Sequence, residues 1–426
     1  MTKYQIFLQV DFAKYLIYNI DMIRRNILKT ISKYINTNDI IVLHGARQVG
    51  KTTIMKMLYD DIENSKYYFD LEDGRFLSIC NNGIEDILSF LQQKGIIKNK
   101  EDKCYIFIDE VQYLTNPTSL LKLTYDHYKN IKLIVSGSSS FNIKKKFKDS
   151  LVGRTVDFEI FPLNFEEFLV FKDEKIDLTK KITNEILIKK LESLYKEFVI
   201  CGGYPKIVLT NETEMKETYI QQIIDTYINK DIRDLANVKY IDRFNRLIQV
   251  LASQSGNLLN TTELSNTTKL ARQTVEEYLF ILESTYIIKI VSPYYNNIRS
   301  ELFKMPKIFF YDTGILYMLW MKMLPKEVLG NVFETAIFSE LLKRYKKENV
   351  CFWRTQNKQE IDFIIKDKQK IIPLEAKIDS SYFSDSSIKF FAKKYKIKDC
   401  YCISLNGDKK DTKSAKFLNP WDIYSI

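Results

Sequence analysis

The chain has only two histidines, His44 and His127, and none of its six cysteines falls in a C-x-x-C pair. A structural zinc site needs four ligands at tight spacing, so Cys80, Cys104, Cys201, Cys351, Cys400 and Cys402 are not expected to form one. Scattered cysteines without a framework also argue against a disulfide-stapled scaffold and fit a reducing cytosol. No run of eighteen apolar residues occurs, which excludes a helical membrane span. Lys3, Asp11 and Lys14 interrupt the apolar residues at the start, and no small-residue cleavage site follows, so no secretory signal is expected there. Glycine (13) and proline (8) are scarce beside heavy use of Lys, Ile, Asn and Tyr, a bias that reads as base composition rather than function.

The rest of the composition is that of a globular chain. Hydrophobic residues make up 45% and charged residues 28% of 426 positions, enough apolar surface for several cores and, by length, about three domains. Lys and Arg number 64 against 54 Asp and Glu, a net charge of +10. That surplus fits an anionic partner such as nucleic acid, and equally a solvated lysine-rich surface.

One stretch organises the chain. Gly45-Ala46-Arg47-Gln48-Val49-Gly50-Lys51-Thr52 satisfies G-x-x-x-x-G-K-[ST] in full. It follows an apolar run, Asp39–His44, that reads as a short buried strand, and Thr53 opens a helical pattern. The two glycines let backbone N–H groups turn toward a polyphosphate, and the helix N-terminus adds partial positive charge. Lys51 would reach the β- and γ-phosphates, and the Thr52 hydroxyl would hold Mg2+. The expected ligand set is therefore residues 45–53, and the expected cofactors are ATP and Mg2+.

A second apolar run, Lys103–Ile108, ends in Asp109 and Glu110. A buried parallel strand would deliver Asp109 to the same sheet edge, where it can hold Mg2+ and Glu110 can polarise the attacking water. Upstream, Asp21–Ile35 has helical spacing, Lys66–Leu71 reads as a strand and Gly83–Lys94 as a helix. Another apolar run, Ile131–Val135, ends in Ser136-Gly137-Ser138-Ser139-Ser140. Ser138 or Ser139 is the candidate sensor of the γ-phosphate, with a plain serine-rich turn as the alternative. Arg154, in Leu151-Val152-Gly153-Arg154, would stabilise transition-state charge in its own or a neighbouring subunit, or serve as a surface ion pair.

These pieces, with Pro162-Leu163-Asn164-Phe165-Glu166-Glu167-Phe168, Cys201-Gly202-Gly203-Tyr204-Pro205 and Pro306–Gly314, resemble a known family. It comprises the AAA-type P-loop ATPases of bacteria and archaea that carry a C-terminal domain of unknown function. The resemblance runs from about Ile23 to about Ile378. It implies an AAA-like sheet with one strand inserted between the P-loop strand and the strand that ends in Asp109.

Residues 170–235 are helical in pattern around a turn signal at Gly202–Pro205. Beyond Asp242, three helical segments and two short strands (Tyr286–Tyr295 and Met305–Tyr311) give a winged-helix reading. In it Arg272, Gln273 and Thr274 would face DNA, while Glu276 and Glu277 on the same helix oppose that role. A helix from Gly330 and three strands (Cys351–Arg354, Glu360–Ile365, Ile371–Lys377) follow. Alternation puts Glu375 and Lys377 on one strand face. This layout resembles restriction-endonuclease-like, or PD-(D/E)XK, domains. The resemblance implies that Glu334, Asp362 and Glu375 gather Mg2+ or Mn2+ and that Lys377 positions a water or steadies a phosphate. Lys389, Lys393, Lys394 and Lys396 would track a phosphate backbone or simply be solvated.

The expected fold is α/β. It has an AAA-type P-loop three-layer domain at 21–168, a helical linker or lid at 169–238, a winged-helix-like domain at 239–325 and a PD-(D/E)XK nuclease-like domain at 326–426. The expected function is a cytoplasmic, Mg-dependent ATPase whose nucleotide state governs nucleic-acid engagement or processing by the C-terminal domain. The alternative is a nucleotide-dependent switch or scaffold with an inactive nuclease fold. Its partner would be another protein or a second copy of the chain, and no membrane is expected in either case.

Overall fold

The computed structural model describes residues 23–137, 151–232, 238–294, 305–368 and 370–425. They form two compact units. One comprises the chain to Gly45 with Gly50–Ile160, and the other comprises Ala46–Val49 with Phe161–Ile426. The stretch Phe161–Phe168, expected in the first domain, groups with the second unit.

The first unit is built on a parallel sheet of β1 (Ile40–His44), β2 (Lys66–Asp70), β3 (Cys104–Asp109), β4 (Ile131–Gly137) and β5 (Thr155–Glu159). The order across the sheet is β2-β3-β4-β1-β5. Every residue of β1, β3 and β4 is buried, while β2 and β5 are mostly half-buried. This is what sequence pattern and position require of each other. Strands covered on both faces read as continuous apolar runs, and edge strands tolerate polar residues. β4 lies between β1 and β3, the inserted position the resemblance implied. The edge strand β5 had no counterpart in the sequence reading, because only Phe158 of its five residues is buried.

Helices α1 (Lys51–Asp60), α2 (Gly74–Asn82), α3 (Ile84–Gln93) and α4 (Pro117–His127) complete the unit. Their apolar residues join the sheet in one cluster that includes Phe69, Leu88, Ile106, Leu121 and Val135. Of the helix expected over Asp21–Ile35, the described part holds one α-turn at Leu28–Ile31 and a 3-10 turn at Ser32–Tyr34.

The second unit begins with α5 (Phe165–Phe171), α6 (Glu185–Cys201) and α7 (Thr213–Ile223). Asn164 caps α5 in a reciprocal box with Glu167. Three helices follow, α8 (Ile241–Ser253), α9 (Thr261–Thr268) and α10 (Arg272–Ser284), then the antiparallel pair β6 (Ile288–Val291) and β7 (Lys307–Phe310). Asn260 supplies the α9 cap by accepting from the Thr262 and Glu263 amides. Helices α11 (Thr313–Met321) and α12 (Gly330–Arg344) lead into a five-stranded mixed sheet: β8 (Val350–Arg354), β9 (Glu360–Asp367), β10 (Lys370–Asp379), β11 (Tyr401–Asn406) and β12 (Lys416–Leu418), with α13 (Ser386–Tyr395) before β11. Its order is β12-β11-β10-β9-β8, antiparallel over β8–β10 and parallel over β10–β12. The architecture is therefore mixed α/β: a parallel five-stranded sheet typical of P-loop AAA domains, and a separate C-terminal sheet.

Two sequence signatures meet inside this unit. Asp312 is buried, accepts from the Gly203 amide at 2.8 Å and caps α11 through the Ile315 amide at 3.0 Å. The C-G-G-Y-P and Y-D-T-G stretches are thus two halves of one structural junction. All six cysteines are buried and none forms a disulfide, and no helix among the described residues is long and apolar enough to cross a membrane.

Candidate functional site

Parallel pairing sets the geometry of the nucleotide site. Register places Asp70 beside Asp109 and His44 beside Gly137, so β1, β3 and β4 end on one edge. Gly45 leaves β1 where a Cβ would lie 2.2 Å from the Ile160 carbonyl oxygen, so only glycine fits. Gly50 takes φ +99 at the start of α1, a left-handed turn no side chain favours. Between them Ala46 and Val49 are buried, Arg47 is half-buried and Gln48 is exposed with φ +62. Thr53 is exposed in the first turn of α1.

Lys51 is 5% exposed, and its Nζ donates to the Gly45 carbonyl at 3.2 Å. The ammonium group is thus folded back over the loop whose phosphates it was expected to meet. Thr52 Oγ1 donates to Asp109 Oδ2 at 2.8 Å. These two oxygens, expected from sequence to share Mg2+, are already adjacent, and hard oxygen donors are what that cation takes. The residues present fit the ion.

Asp109 has further partners that the sequence did not reveal. The Tyr68 hydroxyl donates to Oδ2 at 2.7 Å, Ser136 Oγ donates to Oδ1, and the Glu110 amide reaches Oδ1 at 3.1 Å. Burial, then the negative charge of Asp109, hold the Tyr68 phenol far above its usual range. Glu110 sits at φ +57, its amide also donates to Ser136 Oγ at 3.3 Å, and its carboxylate accepts from the Gln112 amide. A left-handed non-glycine residue one step past a strand is a local strain common at working sites. Ser138 and Ser139 lie outside the described residues. Ser136 is the β4 serine that the structure brings to Asp109.

Arg154 takes the ion-pair alternative. Its guanidinium grips Asp126 on α4 through Nε at 2.8 Å and Nη2 at 3.2 Å. The Asp126 carboxyl is lowered by that contact. Arg25 read from sequence only as a position off the apolar face of the Asp21–Ile35 helix, yet it is 8% exposed and its Nη1 lies 3.9 Å from where a Cβ on Gly50 would sit. No sequence pattern tied that arginine to the loop.

In the second unit the four residues implied by the endonuclease resemblance gather with others around two lysines. Lys377 Nζ lies 2.7 Å from Asp362 Oδ2 and 2.6 Å from Glu375 Oε2. Lys307 Nζ lies 3.0 Å from Glu334 Oε1 and 2.7 Å from Glu360 Oε1, and Arg354 Nη1 lies 2.7 Å from Glu360 Oε2. Burial pushes Glu334 up to about 7 against the pull of Lys307. Burial and the neighbouring Asp362 raise Glu375 well above the carboxylate range, while Lys377 and Lys307 outweigh burial at Asp362 and lower it.

The endonuclease resemblance implied a metal centre at Glu334, Asp362 and Glu375, and the structure sets each of these carboxylates against a lysine ammonium. Among the described residues no group of three or more His, Cys, Asp or Glu side chains is placed to hold a metal ion. Lys307 takes one oxygen of Glu334, and Lys377 takes one each of Asp362 and Glu375. On α10, Arg272 Nε pairs with Glu276 at 2.9 Å and Gln273 Nε2 reaches Glu277 at 3.4 Å, so the glutamates take up the groups expected to face DNA.

Comparison with known proteins agrees with the first unit's geometry. Residues 37–169 match the model of an AAA domain, so the chain carries an AAA-type P-loop domain. Residues 192–326 and 329–424 match two domains of unknown function (DUF8612 and DUF4143). An uncharacterized protein of Methanocaldococcus jannaschii is 26% identical over 337 residues, 77% of this chain and 72% of that protein. An uncharacterized protein of Haemophilus influenzae is 25% identical over 367 residues, 82% of this chain and 85% of its own. Among solved structures, a Walker-type ATPase of Pyrococcus abyssi aligns with a TM-score of 0.46 at 14% identity, covering 71% of this chain and 97% of that one.

Proposed function

We propose that this protein binds ATP with Mg2+ and hydrolyses it, and that nucleotide state governs how the rest of the chain engages nucleic acid. One observation carries the ATPase reading: the Thr52 hydroxyl on the Asp109 carboxylate at 2.8 Å, next to the buried Lys51. Residues 45–53 receive the phosphates through backbone N–H groups. Lys51 exchanges the Gly45 carbonyl for phosphate oxygens. Thr52 and Asp109 would hold Mg2+, which when bound neutralises phosphate charge. Glu110 polarises the attacking water, with its backbone fixed on Ser136 and its carboxylate steadied by Gln112. Arg154 would act as a finger only after leaving Asp126. The domains assigned to these roles are 21–168, 169–238, 239–325 and 326–426.

The nucleic-acid part is supported by the exposed Lys393, Lys394 and Lys396 at the end of α13. The second reading, a switch or scaffold with an inactive nuclease fold, is supported by the lysine-held carboxylates. Salt-sensitive DNA binding favours the first, and nucleotide-dependent capture of a protein or second copy without DNA binding favours the other.

The test of the ATPase is a pair of variants. Lys51→Ala is expected to lose measurable ATP binding in calorimetry. Glu110→Gln is expected to bind ATP normally while turnover drops about a hundredfold. Equal turnover in wild type and Glu110→Gln refutes the assignment.

A further inference from the structure

Lys307 does not belong to the sheet whose carboxylates it holds. It opens β7, is 3% exposed, and places its ammonium between Glu334 on α12 and Glu360 on β9. Several contacts fix it there. The Gly256 amide donates to Ile308 O at 2.7 Å and the Leu259 amide to Pro306 O at 2.7 Å. Phe309 stacks on Phe338 of α12 with centroids 4.3 Å apart. The other oxygen of Glu334 faces Gly256, where an added Cβ would lie 3.3 Å from Oε2. Beside it, Lys377 spans Asp362 and Glu375. A divalent ion at this place would need those oxygens, and one oxygen of each carboxylate already faces an ammonium: Glu334 Oε1 and Glu360 Oε1 face Lys307, and Asp362 Oδ2 and Glu375 Oε2 face Lys377.

We propose that Lys307 is the resident cation of the cluster: it stands in for a divalent ion, ties the β6–β7 pair to the C-terminal sheet, and keeps the native protein from binding Mg2+ or Mn2+ there. The device costs no cofactor and makes the cluster composite, since one of its charges comes from a strand outside the sheet. Without Lys307, the carboxylates of Glu334, Glu360, Asp362 and Glu375 face only Lys377 and Arg354, and the uncompensated charge around Glu334 draws in a divalent cation. The inference concerns the second unit alone and does not rest on ATP hydrolysis.

The test uses the full chain carrying Asp109→Asn, so that the P-loop supplies no carboxylate. Mn2+ alone is titrated without nucleotide, and free ion is read by electron paramagnetic resonance. The parent is expected to show no saturable site. Lys307→Gln is expected to gain one site, about tenfold or more tighter than residual parent binding. Lys307→Arg should restore the parent's silence, and adding Asp362→Asn should remove the gained site. If Lys307→Gln does not fold, Lys307→Gln with Glu360→Gln keeps the charge balance and is expected to gain the same site. A parent chain that binds one Mn2+ and loses it on Asp362→Asn overturns the proposal whether or not the lysine variants fold. So does a folded Lys307→Gln, alone or with Glu360→Gln, that binds no more than the parent.

Discussion

Asp109 and Asp362 both sit on buried strands, at 3% and 8% exposure, yet their carboxylates are satisfied in opposite ways. Around Asp109 the donors are neutral: the hydroxyls of Thr52, Tyr68 and Ser136, and the Glu110 amide. Around Asp362 the Ala376 amide is joined by the Lys377 ammonium, and Lys307 holds the neighbouring Glu334 and Glu360. Neutral donors orient a carboxylate and leave its charge in place. Cationic donors cancel it. The first arrangement holds a charge in reserve for an incoming cation and accepts the cost of burying it. The second spends that charge on joining strands, and a buried ion pair is costly mainly when one partner is removed.

The largest expected effect therefore lies in the second unit. Lys307→Met should lower its unfolding free energy by about 3–5 kcal/mol, because it strands Glu334 and half of Glu360. Trp320, Trp353 and Trp421 all belong to that unit, so tryptophan fluorescence in urea reads it selectively. An unchanged midpoint would make the contrast between the two centres false.

Next comes Asp109→Asn. Binding of ATP in the presence of Mg2+ should weaken about tenfold or more, while metal-free ATP binding holds. Thermal stability should not fall, since the substitution removes a buried charge without an ionic partner. Marked destabilisation would mean that Asp109 is structural after all. The smallest effect is Tyr68→Phe, which leaves one hydroxyl fewer on Oδ2. A loss of about 1 kcal/mol, or roughly fivefold in Mg·ATP affinity by calorimetry, is expected. No change would assign the orienting role to Thr52 and Ser136 alone.

What the sequence made legible follows the same division. The P-loop is local: its glycines, its lysine and its strand and helix are contiguous, so the geometry at Gly45 and Gly50 could be anticipated. Asp109 was visible because a fully buried strand must be an unbroken apolar run. Tyr68 and Ser136 were not visible, because they reach Asp109 sideways from β2 and β4, and parallel pairing between distant segments leaves no mark on spacing. The ion pair allowed for Arg154 could not be given its partner, because Asp126 lies on a helix separated from it by β4. In the C-terminal sheet the four resemblance residues converge as expected. Lys307 changed their meaning, and as a single lysine opening a short strand it carried no pattern.

The burial of every thiol has a practical consequence. Burial raises Cys80, Cys104, Cys201 and Cys402 to about 12 and Cys400 to about 11, so the native chain offers alkylating reagents almost no thiolate. Cys80 and Cys104 lie in the first unit and the other four in the second. Which peptide acquires mass in a brief alkylation pulse then identifies which half of the molecule has opened. The chain thus carries its own clock for local unfolding, with no label to introduce.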